Sequence, residues 1–487
     1  MVMNVAEPLT YHARSRGDHP AIVQGERVLR YRELDLLVRR SAVRLYCLGL
    51  MPGEVAGVAL RDSVEHVVLL MAFARAGIVL LPLDWRWQPE EQSRVAQHFG
   101  AKLLLVEPGR PQPAGLRCVG VDEDWAAAVA REDPQRAFPD GDRPLMMSLS
   151  SGTTGRPKGP RHDHAHFFAR YRVFWINLGF NAQDRYVSAT PLYFGGGRGF
   201  AMLMLYTGGT IHLFPPPYEP EQLCAEIARS RATAVFLVPT LLRRLLGLPD
   251  AALAPMRGMR LVLSSGSALH PEERRAIRAR ICPGFIEYYS STEGGGVSCL
   301  TADDPPQFDD SVGRPVFAVE VQCVDDEHRP LPPGRVGRIR YRGPAVASGY
   351  WNDIEASKEA FRDGWFYPGD LGMRDRHGYV YIRGRAKDMI IRGGINIYPA
   401  DVEAVLQSHP AVTDAAVVGW ASREFNEEVA AFVILKGEAS AGELRELCRA
   451  QLSPYKVPRQ VFLVKDFPRN TLGKVIKAEL SAKLPPL

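Results

Sequence analysis

Residues able to hold an anion are concentrated between Leu145 and Gly159, in the stretch LMMSLSSGTTGRPKG. Its apolar start suits a buried strand. Ser150, Ser151, Gly152, Thr153, Thr154 and Gly155 follow, with Pro157, Lys158 and Gly159 behind them. Glycines and small hydroxyl residues leave backbone N–H groups to converge on an anion, each hydroxyl can donate one more hydrogen bond, and Lys158 adds a movable charge. The chemistry is that of a phosphate cradle, although the GxxxxGK[ST] spacing of a P-loop is absent. A Ser/Thr/Gly run also suits a flexible linker, but linkers seldom carry PxKG just after a buried strand.

Further along, Tyr288 to Gly294 (YYSSTEG) puts aromatics, hydroxyls and a carboxylate within seven residues. Tyr367-Pro368-Gly369-Asp370 sets a carboxylate in a turn, Gly384-Arg385-Ala386-Lys387-Asp388 leads to Gly393-Gly394, and Lys474 stands in a glycine-containing loop. Taken singly, each has an ordinary reading: Asp370 as a turn former, the glycine pair as a loop, Lys474 as a solvated charge.

The elements that must position these residues alternate. Helical spacing runs from Tyr31 to Leu48, a strand is expected from Val55, and a helix from Ser63 ends at Gly77. Leu103–Val106, Ala234–Val238 and Leu261–Leu263 suit strands buried on both faces. The fold class expected is α/β, with largely parallel sheets flanked by helices. Past Asp310, strands around Gly/Pro turns suggest a small antiparallel, β-barrel-like part. After Asp388, a short helix at Pro399, strands at Asp414–Val418 and Glu428–Leu435 and a helix from Ala441 to Leu452 make a small α+β unit.

At 487 residues the chain exceeds one compact core. A net charge of +5, with scattered basic residues, suits anionic small molecules without implying nucleic acid. No stretch approaches a membrane span, and the N-terminus lacks a signal-peptide core. Seven cysteines without a CxxC pair read as reduced thiols of a cytoplasmic protein.

In this order and spacing, the chain resembles the adenylate-forming superfamily: acyl- and aryl-CoA synthetases, luciferase and the adenylation domains of nonribosomal peptide synthetases. The resemblance runs from Arg75 to Lys474. It implies a large AMP-binding domain over residues 1–387 and a small mobile lid over 388–487, hinged at Asp388. It further implies that Ser150–Gly155 and Lys158 wrap the β- and γ-phosphates of ATP. Tyr289 would stack on adenine beside Gly266-Ser267-Ala268 and Ile382, and Asp370 would bind the ribose with Arg385 beside it. Glu293 would hold Mg²⁺, Thr292 would approach the α-phosphate, and Lys474 would bridge the substrate carboxylate and the α-phosphate. Gly393 and Gly394 would line the pantetheine tunnel, with Tyr455 and Lys456 at the nucleotide of coenzyme A.

The implied activity is acid–CoA ligation, with a carboxylic acid, ATP and CoA as small-molecule partners. The acyl pocket would involve His164, Tyr193, Phe194, Gly195, Gly196 and Gly197. Where the family has an aromatic-His pair this chain has Tyr193-Phe194, so the acid contact is reshaped; Tyr193, Phe194 and Phe200 suggest an apolar or aromatic acid, and Arg198 reads either as solvated or as a partner for a second polar group on that acid. Pro368 replaces the usual Thr and Asn426 the usual Gly. His162 to His166 offers no distant ligand set for a metal. A freestanding adenylating enzyme that serves a carrier protein or an amine is the alternative. A catalytically idle binding homologue is disfavoured by the intact Lys158, Glu293, Asp370 and Lys474.

Overall fold

The computed structural model describes residues 3–151, 157–393, 395–469 and 475–485. Two compact units emerge, residues 1–320 with 341–366, and residues 321–340 with 367–487. Asp388 lies inside the second unit.

In the first unit, a nine-stranded sheet has at its centre Arg185–Ser188, Ala234–Leu237, Leu261–Ser264 and Phe285–Ser291, in that spatial order and all parallel. Gly295–Leu300 returns antiparallel to Phe285–Ser291. A second sheet orders Arg161–Asp163, Pro144–Met147, Val79–Pro82, Val55–Ala59, Leu103–Val106 and Arg117–Gly120. Every residue of Leu103–Val106 and Leu261–Ser264 is buried, as continuous apolar runs in a helix-covered parallel sheet require. The helix Val64–Ala76 begins where the Ser63 hydroxyl accepts from the His66 N–H and ends at Gly77 with φ +66°, so its cap and stop are both local chemistry.

The helix Pro271–Arg280 fastens the strand that leads to Tyr289. Arg274 forms a buried ion pair with Glu287 and also donates to the carbonyls of Asp309 and Ser311. In the second unit, Gly337–Arg340 pairs with Asp370–Arg374, which pairs with Val380–Arg385. These strands form an antiparallel ladder, and residues 321–340 and 367–387 group with the C-terminal chain. The α+β part that follows packs Pro399–Gln407 and Ala441–Gln451 on a sheet centred on Val412–Ser422 and Asn426–Leu435, through Val402, Leu406, Leu444, Val417 and Val433.

Replacing Arg274 with Ala leaves Glu287 buried without its cation. Denaturant unfolding should show a loss of about 3–5 kcal/mol, the scale for breaking one side of a buried pair. A loss under about 1 kcal/mol would mean that the pair does not fasten this strand.

Candidate active site

In the first unit, Ser150 and Ser151 pair antiparallel with Lys158 and Pro157, so the chain doubles back directly after the Pro144–Met147 strand. Gly152, Thr153, Thr154 and Gly155 lie outside the described residues. Lys158 is half-buried, its ammonium 5.0 Å from the centroid of the Tyr350 ring. Backbone bonds hold that proximity: the Trp351 N–H donates to the Gly159 carbonyl (2.8 Å) and the Arg161 N–H to the Gly349 carbonyl (2.9 Å).

Gly266-Ser267-Ala268 follows the Leu261–Ser264 strand and is exposed. Gly266 takes φ +109°, a conformation that side chains disfavour. The Ser265 and Ser290 hydroxyls, 2.9 Å apart, stitch this turn to the neighbouring strand, on which Tyr288 is buried and Tyr289 half-buried. The exposed turn thus adjoins the strand that carries Tyr289; main-chain groups and an aromatic ring are what a flat polar base needs.

Thr292 and Glu293 follow the same strand. Arg170 donates to the Thr292 carbonyl (3.0 Å) and to His162 Nε2 (2.6 Å), while the Ala347 N–H holds the Glu293 carbonyl (2.8 Å). Burial and the adjacent guanidinium push the pKa of His162 well below the usual histidine range, so the imidazole is neutral and accepts. The carboxylate of Glu293 receives the Tyr350 hydroxyl at 3.1 Å.

The Pro191–Gly197 segment follows the Arg185–Ser188 strand. Both carboxylate oxygens of Asp62 accept from the Leu192 N–H (3.0 and 3.1 Å). Arg198 donates to the carbonyls of Leu192 (3.0 Å) and Tyr193 (2.8 Å) and to the Ser148 hydroxyl (2.9 Å). Arg198 is only 1% exposed, which corrects its reading as solvated. The Tyr193 hydroxyl is 2.5 Å from Arg86, itself bidentate on Asp84. Phe200 stacks on Phe236 in the core and Phe194 packs against the same core.

His164 opens the helix His164–Leu178. It is fully buried, its Nδ1 accepts from the Val5 N–H at 2.9 Å, and burial lowers its pKa to about 4. Its Nε2 is buried without a partner among the described residues.

The second unit supplies another group. Asp370 and Arg385 are cross-strand partners whose side chains form an ion pair of 3.0 Å, and the Ala386 N–H closes on the Gly369 carbonyl (2.8 Å). Pro368 before Gly369 at φ +81° has the sequence of a type II turn, which explains why a proline suits the position. Ile382 is half-buried on the same strand, and Asp388 ends the turn Ala386–Asp388. Gly393 has φ +56° and donates to the Phe425 carbonyl (2.8 Å); Gly394 and Lys474 lie outside the described residues. Asn426 takes φ +67°, a left-handed conformation that Asn tolerates in place of Gly. Tyr455 packs on the core of this part, and Lys456 pairs with Asp401 at 2.6 Å.

Comparison with known proteins decides the family. A model described as AMP-binding enzyme matches residues 9–351, and one described as AMP-binding enzyme C-terminal domain matches residues 401–474. The chain belongs to the AMP-binding enzyme family. It is 31% identical to an indoleacetate–CoA ligase of Aromatoleum aromaticum, with 98% of each chain covered. To a 2-succinylbenzoate–CoA ligase of Bacillus licheniformis it is also 31% identical, over 99% of this chain and 100% of that one. Among solved structures, ATP-bound MatB from Rhodopseudomonas palustris superposes with a TM-score of 0.92 at 30% identity, covering 99% of both chains.

Within this AMP-binding enzyme, the side chains that sequence reasoning missed are Tyr350, Arg170 and Asp62. None of the three is marked by a local pattern; Arg170 shares the helix His164–Leu178 with a second arginine, Arg172. Among the described residues, no helix is long and apolar enough to cross a membrane.

Two predictions follow from the Pro191–Gly197 segment. A methyl group on Gly195 meets nothing within 4 Å, whereas one on Gly197 would meet the carbonyl oxygens of Pro191 and Thr190 at 2.3 and 2.4 Å. Gly195→Ala should keep wild-type stability, while Gly197→Ala should lose about 1–3 kcal/mol in thermal or denaturant unfolding; equal effects would refute the packing described.

Asp62 is the other case. Burial raises its pKa to about 7, the Leu192 N–H opposing the rise. A carboxyl whose folded pKa exceeds its unfolded value stabilises the fold at low pH and loses that contribution as pH rises to the folded pKa. Relative to Asp62→Asn, wild type should lose stability between about pH 4 and pH 7; a difference constant over that range would place Asp62 in water.

Proposed function

We propose that this protein is an ATP-dependent carboxylic acid–CoA ligase that makes an acyl-adenylate and then an acyl thioester. The observation that carries the reading is the convergence of Lys158 and Glu293 on Tyr350, directly behind the Ser/Thr/Gly loop. A cation suited to phosphates there stands near a carboxylate suited to a hard metal ion. End-to-end likeness to two CoA ligases supports CoA as the acceptor.

The donor set fits Mg²⁺. Glu293 offers a carboxylate, and Mg²⁺ is commonly held by one or two carboxylates together with substrate phosphates; Thr292 beside it would approach the α-phosphate. When bound, the ion supplies neutralisation of phosphate charge.

A carboxylic acid is already ionised at neutral pH, so the first step needs no general base. One carboxylate oxygen forms a bond to the α-phosphorus as the bond to the bridging oxygen breaks and pyrophosphate leaves. The obstacle is mutual repulsion of anions, which Lys158, Lys474 and the donors of Ser150–Gly155 offset. Tyr289 and the Gly266-Ser267-Ala268 edge would hold adenine with Ile382, and Asp370, oriented by Arg385, would hold the ribose. In the second step the CoA sulfur bonds to the acyl carbon, the acyl–phosphate C–O bond breaks and AMP leaves. A turn about Asp388 would withdraw Lys474 and bring in Gly393 and Gly394, whose lack of side chains admits pantetheine. Tyr455 and Lys456 would meet the CoA nucleotide, with Lys456 exchanging Asp401 for phosphate. Phe194, Phe236 and Gly196 favour an apolar or aromatic acid; a methyl group on Gly196 would lie 2.7 Å from the Phe236 ring. The reading includes a cytoplasmic location, supported by seven free cysteines.

The test is pyrophosphate release over a panel of carboxylic acids, with and without CoA. CoA should accelerate turnover and yield a thioester. Lys474→Ala should lose roughly 10²–10³-fold in adenylate formation, the scale for one transition-state donor, yet still convert adenylate supplied ready-made. If CoA alters neither rate nor product, transfer to a carrier protein or an amine replaces this reading.

A further inference from the structure

Tyr350 is outside every stretch that the sequence marks as chemical, yet it touches two of the residues that such stretches supply. Its ring faces the Lys158 ammonium at 5.0 Å, and its hydroxyl lies 3.1 Å from Glu293 Oε1. Both contacts are fixed from behind. The main chain of residues 349–351 is bonded to that of residues 159–161, with Pro160 bridging to Tyr350 itself. The Tyr350 N–H donates to the Ser357 hydroxyl (2.8 Å), and the ring meets Phe361 edge-on at 5.5 Å. A carboxylate oxygen accepts, so the Tyr350 hydroxyl is the donor to Glu293. A cation over an aromatic face is attracted by the ring quadrupole, and a hydroxyl donating to a carboxylate fixes the orientation of that carboxylate.

We propose that Tyr350 is a positioning residue for nucleotide binding: its ring holds Lys158 for the phosphates, and its hydroxyl holds Glu293 for the metal ion. The proposal rests on the ATP-site reading above. The two halves of one side chain then serve two ligands, so they can be separated by substitution. Tyr350→Phe keeps the ring and loses the hydroxyl. Tyr350→Leu loses both.

The experiment measures binding rather than turnover, by calorimetric titration of ATP into the full chain with and without Mg²⁺, alongside thermal melting. Wild type should bind ATP more tightly with Mg²⁺. Tyr350→Phe should need about 10-fold more Mg²⁺ for the same gain, the lower end of what loss of a group supporting a metal ligand costs, with Mg²⁺-free affinity unchanged. Tyr350→Leu should show that defect and also lose about 3- to 10-fold in Mg²⁺-free affinity, as expected when a cation–π partner is removed. Tyr350→Phe and Glu293→Gln should be non-additive in their Mg²⁺ dependence, because both act through one bond.

Variants that melt and bind like wild type would overturn the role of Tyr350 while leaving the ATP site intact. Equal losses in the Phe and Leu variants, or additivity with Glu293→Gln, would overturn it as well. Wild type that binds no ATP under either condition would instead overturn the reading on which the proposal rests. Should Tyr350→Leu fail to fold, the Phe and Gln pair decides alone.

Discussion

Parallel pairing is the constraint from which the site in the first unit follows. Arg185–Ser188, Ala234–Leu237, Leu261–Ser264 and Phe285–Ser291 run in one direction, so the segments that leave their carboxyl ends emerge along one edge. Three of those segments carry candidate chemistry: Pro191–Gly197, Gly266-Ser267-Ala268 and Thr292-Glu293. The Ser265–Ser290 contact and the Thr190 hydroxyl on the Phe236 carbonyl (3.1 Å) show that neighbouring segments are bonded to one another and not merely adjacent. No single segment contains a complete site. Alignment of the strands brings three of them to one edge.

Much of this was legible in the sequence because it is local. Ser63 and Gly77 delimit a helix by capping chemistry, and uninterrupted apolar tetrads such as Leu103–Val106 announce strands buried on both faces. Asp370 and Arg385 could be suspected as a pair, and strand register makes them one. The YYSSTEG stretch likewise brings its hydroxyls and carboxylate into one short segment.

Other features depend on partners far away in the chain. Tyr350 gains its role from the bonding of residues 349–351 to residues 159–161, which no local pattern encodes. Arg198 looks solvated in a glycine-rich context, but two carbonyls and a hydroxyl close around it once Ser148 is brought near. His164 likewise has a partner that no local pattern encodes, the Val5 amide 159 positions away, which donates to its Nδ1. Residues 321–340 and 367–387 group with the C-terminal chain through long-range antiparallel pairing, which no local pattern encodes either.

The choice of partners for the buried arginines is itself informative. Arg170 donates to a carbonyl and a neutral imidazole, Arg198 to carbonyls and a hydroxyl, and among the described residues neither forms an ion pair. Burying a guanidinium without a counter-ion is costly, and burial lowers the pKa of Arg198 to about 9. Even so, the group remains protonated at neutral pH. Dipolar partners satisfy the geometry of these donors while leaving their charge in place, whereas a carboxylate would satisfy the geometry and cancel the charge. Arg274 shows that alternative in the same unit, where its role is to fasten a strand and its charge is met by Glu287. The difference follows position. Arg274, which fastens a strand, is neutralised, while the arginines bracing Thr292-Glu293 and Leu192-Tyr193 keep positive potential beside those segments, where low dielectric makes it count most.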